Sequence, residues 1–344
     1  MAEVITEMIL PGAYIEVRPE ALIRAGAVSV GNVGIVGTAE KGTDYAVKIV
    51  SSFSEAKEKF GEVSSNFTLV RGLQLVFNNG GRNVYAVKIE NSFISSYATG
   101  LDSLLNEDVH IIVTPGAEAS DILSTLITHC EKAENNQRER IGIVGSSIKG
   151  AVPNDDRIIY VVPGIKVYDP IENRLVDLPG SYAACAVAGL ISSLPCHHSP
   201  TNKTISVEGL TREYAYSQLQ DLIKSRILAL EKKNGSFRVV KGITTNDGAW
   251  KQITTRRIVD YAKFGVRQGS LPYIGRLNND RVRKALKGTL DGFLSTMKQD
   301  EMLMEYTLDV TASRDDEIEG RCIVTMTLKP TFSIDYIKVI MYLG

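Results

Sequence analysis

The sequence predicts a mixed fold: an α/β half, then an α+β half, with extended strands at both ends. Three observations carry this. Apolar β-rich runs alternate with helical periodicity through the first 205 residues, helices precede strands in the last third, and both termini read as strands without an obvious partner. The expected division is therefore 1–20 as an N-terminal arm, 21–205 as the α/β domain, 206–332 as the α+β domain and 333–344 as a C-terminal strand arm.

At the N-terminus Ala13, Ile15 and Val17 alternate with Tyr14, Glu16 and Arg18. At the other end Ile337, Val339, Met341 and Leu343 line one face, and Ile334, Tyr336, Ile340 and Tyr342 the other. Only Asp335 and Lys338 interrupt them. A strand apolar on both faces must be covered on both faces, and an open edge is a template for pairing. Pattern alone leaves two readings: a final strand in the chain's own sheet, or an arm added to a neighbouring subunit.

Between the ends, Ala27 to Thr38 is an apolar run broken by glycines. Ser52 with Glu55 suggests a capping box, and Asn66 a second cap before Leu69, Val70, Leu73, Val76 and Phe77. Strands are expected over Val84 to Ile89, Val109 to Thr114, Ile141 to Gly145 and Ile158 to Val162. Helices are expected from Ser120 and over Tyr182 to Leu194. Beyond a boundary near Asn202 to Gly209, a helix is read from Thr211 through Leu230, ended by Asn234-Gly235, with a strand over Phe237 to Ile243. Helices at Trp250 to Phe264 and from Asn279 follow, then strands over Tyr306 to Ala312 and Arg321 to Leu328 around an acidic turn, Arg314 to Glu317.

Composition narrows the function classes. With 344 residues, 44% hydrophobic, 23% charged and a net charge of −1, the chain reads as an ordinary globular protein with no bulk affinity for nucleic acid. Four scattered cysteines suit a reducing cytoplasm. No secretory signal is expected, because Glu3 and Glu7 come early and no basic region precedes an apolar one, and no membrane span, because the apolar stretch Tyr182 to Leu194 is too short.

No motif points to catalysis or a cofactor. Gly31-x-x-Gly34-x-x-Gly37 has the wrong spacing for a dinucleotide loop, and Gly37 to Thr43 has the wrong order for a P-loop. Cys196-His197-His198 lacks a second ligand pair and reads as a solvent-facing loop. The acid pairs Asp155-Asp156 and Asp315-Asp316 sit in polar turns, and four histidines (His110, His129, His197, His198) assemble no triad. One charge pattern stands out. Arg281, Arg283, Lys284 and Lys287 crowd the start of a helix and Lys298 lies near its end, although cations are disfavoured at a helix N-terminus. They form either a solvated face or a surface for an acidic partner.

Several motifs together resemble the contractile tail-sheath family of phages, R-type bacteriocins and related injection machines. They are Leu10-Pro-Gly-Ala-Tyr-Ile-Glu-Val17, Gly34-Ile-Val-Gly-Thr-Ala-Glu-Lys-Gly42, Phe53 to Gly61, Gly80-Gly-Arg-Asn-Val-Tyr-Ala-Val-Lys-Ile89 and Ala188-Gly189 with Ser199-Pro-Thr-Asn202. Arg256-Arg257, Tyr273-Ile-Gly-Arg-Leu-Asn278, the basic helix, Gly320, Pro330 and the last strand follow in the family's order. Cys196-His197-His198 replaces an aromatic often found before Pro200.

The resemblance implies a structural, non-enzymatic subunit without cofactor that polymerises helically, as stacked rings, around an inner tail tube and contracts to drive it through a cell envelope. The alternatives are an α/β nucleotide- or metal-dependent enzyme and a static tube or adaptor protein. It implies an outer domain at 21–205 and an inner, tube-facing one at 206–332, with Arg281, Arg283, Lys284, Lys287 and Lys298 toward the tube. Ala13 to Val17 and Ile334 to Leu343 become inter-subunit strands, and Gly12, Pro19, Gly320 and Pro330 hinges. Baseplate and tail terminator proteins are the further partners, with no direct nucleic acid and no membrane insertion. The implied location is a virion tail or injection particle assembled in the bacterial cytoplasm.

Overall fold

The computed structural model describes residues 31–169 and 173–342. They divide into two compact units. One takes in 31–194, 199–253 and 334–342, and the other 195–198 and 254–333.

The larger unit is built on a nine-stranded sheet. Its parallel centre consists of β1 (Val33–Thr38), β3 (Val84–Ile89), β4 (Ile111–Val113), β5 (Ile141–Gly145), β6 (Ile158–Val162) and β11 (Leu228–Lys233). Antiparallel strands finish it: β2 (Val47–Val50) on one side, β12 (Ser236–Val239) and β9 (Thr204–Ile205) on the other. The order is β2-β3-β1-β4-β5-β6-β11-β12-β9. Strands buried on both faces read as continuous apolar runs, which is why the sequence locates β1, β5 and β6 so clearly.

Val33 and Ile35 of β1 join a core with α1 (Phe53–Phe60), α2 (Leu69–Asn78) and α5 (Gly180–Ser193) on one face. Val36 joins a second core with α3 (Ile94–Asp102), α4 (Ala119–Asn135) and α6 (Tyr216–Lys224) on the other. Helix α5 is buried from Gly180 to Ile191. It lies so close to α2 that a Cβ at Gly189 would stand 2.3 Å from the Val76 carbonyl oxygen. A three-stranded antiparallel sheet, β10 (Gly209–Leu210), β7 (Ile165–Asp169) and β8 (Arg174–Leu178), completes this unit.

The smaller unit packs α7 (Ile253–Ser270, its first residue belonging to the larger unit) and α8 (Asp280–Gln299) with a two-stranded ribbon, β13 (Leu303–Thr311) and β14 (Ile323–Pro330). Leu286, Leu290, Leu294 and Met297 recur at helical spacing along α8 and are buried with Ala262, Val266, Leu303 and Val310. Asn279 caps α8, its side chain accepting from the Val282 amide at 3.1 Å.

Several sequence expectations need correction. The helix read from Thr211 to Leu230 is α6 alone, and Leu228 to Leu230 enter the sheet beside Val161 and Val162. Asn234-Gly235 is a hairpin turn, both residues at positive φ (49° and 77°), which a two-residue loop between right-twisted strands requires. The boundary expected near 205 therefore moves to Ile253/Thr254, because β11 and β12 still belong to the large sheet. Asn66 caps nothing, since α2 starts after Thr68. Ser52 caps α1, but Glu55 reaches back to the Ser51 amide, so the box is displaced by one residue. The acidic turn is a short helix, α9 (Arg314–Ile318), with a reciprocal Ser313–Asp316 box.

Two buried charged groups shape the larger unit. Arg71 of α2 pairs with Asp169 of β7, their side chains almost wholly out of solvent. Arg140 donates to His129 Nε2 at 3.2 Å and to the Leu104 carbonyl at 2.9 Å. Burial, helped by the charges of Arg140 and Lys132, lowers His129 from 6.5 to about 3. The folded chain thus keeps this imidazole neutral where the unfolded chain protonates it. The resulting stabilisation is full above about pH 6.5 and is lost as pH falls toward 3, by up to about 1.4 kcal/mol per pH unit. Urea unfolding at pH 7 and pH 5 will show His129→Gln losing about 2 kcal/mol less than wild type over that interval.

Candidate assembly site

After β14 the chain is held at three points. Thr331 donates to the Met302 and Glu301 carbonyls (3.3 and 2.6 Å), and the Ser333 and Thr254 hydroxyls lie 3.3 Å apart. The next contacts are made in the larger unit. Asp335 Oδ2 accepts from Lys241 Nζ at 3.1 Å and from Gln252 Nε2 at 2.9 Å, and Oδ1 accepts from Thr201 Oγ1 at 3.4 Å. Lys241 Nζ also donates to the Tyr336 hydroxyl at 2.9 Å. Burial acts to lower the Lys241 value, but Tyr336 and Asp335 outweigh it and hold the ammonium above the ordinary lysine range.

Around and beyond this contact the chain is largely in solvent. Residues 331–342 form no strand, and Ile337 and Met341 are 82% and 84% exposed, with Val339, Ile340 and Tyr342 also in solvent. Monomeric proteins rarely expose so many neighbouring apolar side chains.

The ribbon has complementary deficits. Strands β13 and β14 pair only with each other among the described residues, so each leaves an outer edge of backbone donors and acceptors unpaired by a strand. Tyr306, Leu308, Val324, Met326 and Leu328 pack inward with α7 and α8. A two-stranded ribbon is marginal alone and accepts further strands at its edges.

On α8 the five cations separate into two groups. Arg283 is drawn inward by Asp280, Glu317 and the Asn278 side chain, and Lys287 pairs with Asp309 at 3.1 Å. Arg281, Lys284 and Lys298 are exposed and make no ion pair among the described residues. Gly320 sits at φ 74° between α9 and β14 with open space around it, and Pro330 closes β14 opposite Leu303. Gly12, Ala13, Tyr14, Ile15, Glu16, Val17, Pro19 and Leu343 lie outside the described residues.

The nucleotide reading meets a filled crevice. In an open parallel sheet ligands enter where strand order reverses, here between the carboxyl ends of β1 and β4. Thr38 and Thr68 occupy that place with reciprocal backbone-to-hydroxyl bonds of 3.0 and 3.1 Å, and the Tyr97 hydroxyl donates to the Pro115 carbonyl at 2.7 Å. The Cys196-His197-His198 segment is the solvent-facing loop expected only in part, with His198 exposed and His197 half-buried. Cys196 is buried and Arg257 donates to the Pro195 carbonyl at 3.3 Å. Among the described residues no group of three or more His, Cys, Asp or Glu is placed to share a metal ion, and no helix is long and apolar enough to cross a membrane.

Residues 94–245 match the family model described as the phage tail sheath protein central domain, and residues 245–344 match the phage tail sheath C-terminal domain. The chain belongs to the phage tail sheath family. A tail sheath protein of Bacillus phage SP01 is 25% identical over 210 residues, which span 53% of this chain and 36% of that protein. One of Staphylococcus phage Twort is 22% identical over 263 residues, 71% of this chain and 44% of that protein. The chain thus spans less than half the length of these curated relatives. Its fold is similar to the helical sheath of the anti-feeding prophage in the contracted state, with a TM-score of 0.79 at 16% identity over 98% of this chain and 100% of that one. The border between the two sheath domains, residue 245, lies close to the change of unit at Thr254.

The sequence reading missed Thr201, Lys241 and Gln252. The available signal was Asp335 itself, a carboxylate in an otherwise apolar run that needs a cation if buried.

Proposed function

We propose that this chain is a structural subunit of a contractile tail sheath, part of a virion tail or injection particle assembled in the bacterial cytoplasm. Its copies polymerise helically around an inner tube, between baseplate and terminator proteins, and contract to drive the tube through a cell envelope. The reading rests on family membership and on one observation: among the described residues an exposed apolar segment has no strand partner and the ribbon has unpaired edges. Adding the segment of one copy to the ribbon of another satisfies both deficits at once. The N-terminal segment Ala13 to Val17, whose sequence alternates as a strand's does, serves as the second donor, and Gly12, Pro19, Gly320 and Pro330 as the turning points of the arms and ribbon.

Negative-stain microscopy of the purified full chain tests this directly. Hollow striated cylinders are expected, and a compact monomer at all concentrations counts against it.

For the tube, the exposed row Arg281, Lys284 and Lys298 offers cations to an acidic partner, whereas Arg283 and Lys287 hold their own unit together. Each exposed pair contributes up to about 1 kcal/mol, and reversal turns attraction into repulsion. The double variant Arg281→Glu/Lys284→Glu should recruit tube protein roughly tenfold more weakly, with a smaller defect in self-association and a larger one at low salt. Co-sedimentation with the tube protein checks this, and equal loss of both activities argues against a tube-facing helix.

A further inference from the structure

We infer that Asp335 is a positioning residue for strand exchange: its cradle in the larger unit fixes where the C-terminal arm leaves the subunit, and so sets the register in which the arm pairs. This deepens the proposed function and rests on it.

The need for such a device follows from the arm's composition. Register is normally specified by side chains, because a slip of one residue turns every side chain to the other face. That penalty is weak here. Ile337, Val339 and Met341 alternate with Ile340 and Tyr342, and Lys338 is the one polar side chain between Ile337 and Tyr342, so a slipped strand still buries mostly apolar groups. Something outside the paired segment must fix the starting point.

The cradle is built to do so. The Asp335 and Lys241 side chains are 10% and 11% exposed, while Ile334 and Tyr336 on either side stand largely in solvent. A carboxylate desolvated to this degree requires converging donors, and they come from rigid parts of the unit. Thr201 Oγ1 accepts from the Gly242 amide at 2.9 Å and from the Ser199 hydroxyl at 2.8 Å, which leaves its own proton for Asp335. Gln252 is held by an antiparallel bridge with Ile243, and Thr244 donates to Lys251 at 2.9 Å. The Ser199-Pro-Thr-Asn202 motif thus acquires a task, placing one hydroxyl against the root of the arm.

The free strand accordingly begins at Ile337, and Ile334 and Tyr336 belong to the root, not to the donated segment. Releasing the root to Ser333 would add three residues, about 10 Å of slack, enough for several registers.

The test compares Asp335→Asn and Lys241→Met with Lys241→Arg and with deletion of 337–344, all in the full chain. Melting temperature and circular dichroism of the two root variants are expected to match wild type, with faster amide exchange around Asp335 and Tyr336. Assembly should then need roughly tenfold more protein, or give tubes of mixed helical lattice, while Lys241→Arg assembles normally. Root variants that form tubes of one lattice at the wild-type concentration would overturn the inference. If the deletion also assembles normally, donated strands themselves are refuted; if the deletion alone blocks assembly, only the role of the root is refuted.

Discussion

Deletion of residues 337–344 leaves a folded subunit that no longer polymerises. Nothing in either unit pairs with Ile337 to Tyr342 as a strand among the described residues, so its loss should leave the melting temperature within a few degrees of wild type. Assembly loses far more. Burying Ile337, Val339, Ile340 and Met341 at a neighbour contributes about 1.5–3 kcal/mol for each side chain, an upper estimate of about 6–12 kcal/mol per arm before the cost of ordering it. Even half of that is several powers of ten in affinity. Sedimentation velocity should therefore find monomer at concentrations where wild type pellets as tubes. Tubes formed by the truncated chain would remove the shared strand from the mechanism.

The second large effect concerns stability. Arg71 and Asp169 are buried as a pair, with Gln74 Oε1 accepting from the Arg71 guanidinium at 3.1 Å. Removing one partner strands a charge where water cannot reach it, and such changes cost about 3–5 kcal/mol. Arg71→Met should lower the unfolding free energy by that amount. The double variant Arg71→Met/Asp169→Leu should recover most of it, because two apolar side chains of similar volume need no partner. Urea unfolding of the three proteins checks the cycle. Equal losses in single and double variants would mean that packing, not the stranded charge, sets the cost.

Much of this architecture is legible in the amino-acid order. Continuous apolar runs located the central strands, and Asn279 followed by Leu286, Leu290, Leu294 and Met297 located α8, because burial on one or both faces leaves a periodic trace. Two of the corrections, the overlong helix and the domain boundary, share a cause. Leu219, Leu222, Ile223, Ile227 and Leu230 satisfy helical spacing, yet the last two enter the strand region, where pairing with β6 decides the conformation. The domain boundary moved with that error, since a strand of the large sheet cannot start the next unit. On the assembly surfaces, charge pattern identified the basic helix, whereas the pairing of Arg283 with Glu317 and of Lys287 with Asp309 depends on a fold that brings α9 and β13 to it. The Asp335 cradle draws Thr201, Lys241 and Gln252 from three separate stretches, and no local spacing encodes such a convergence.

The most direct measurement is a cryo-electron microscopy reconstruction of the assembled full chain. Donated strands predict that β13 and β14 lie inside a sheet of three or more strands, with residues 337–342 of another copy hydrogen-bonded along one edge and Asp335 still on Lys241 of its own copy. A tube in which the ribbon remains two-stranded, with each C-terminal segment folded against its own subunit, would contradict it.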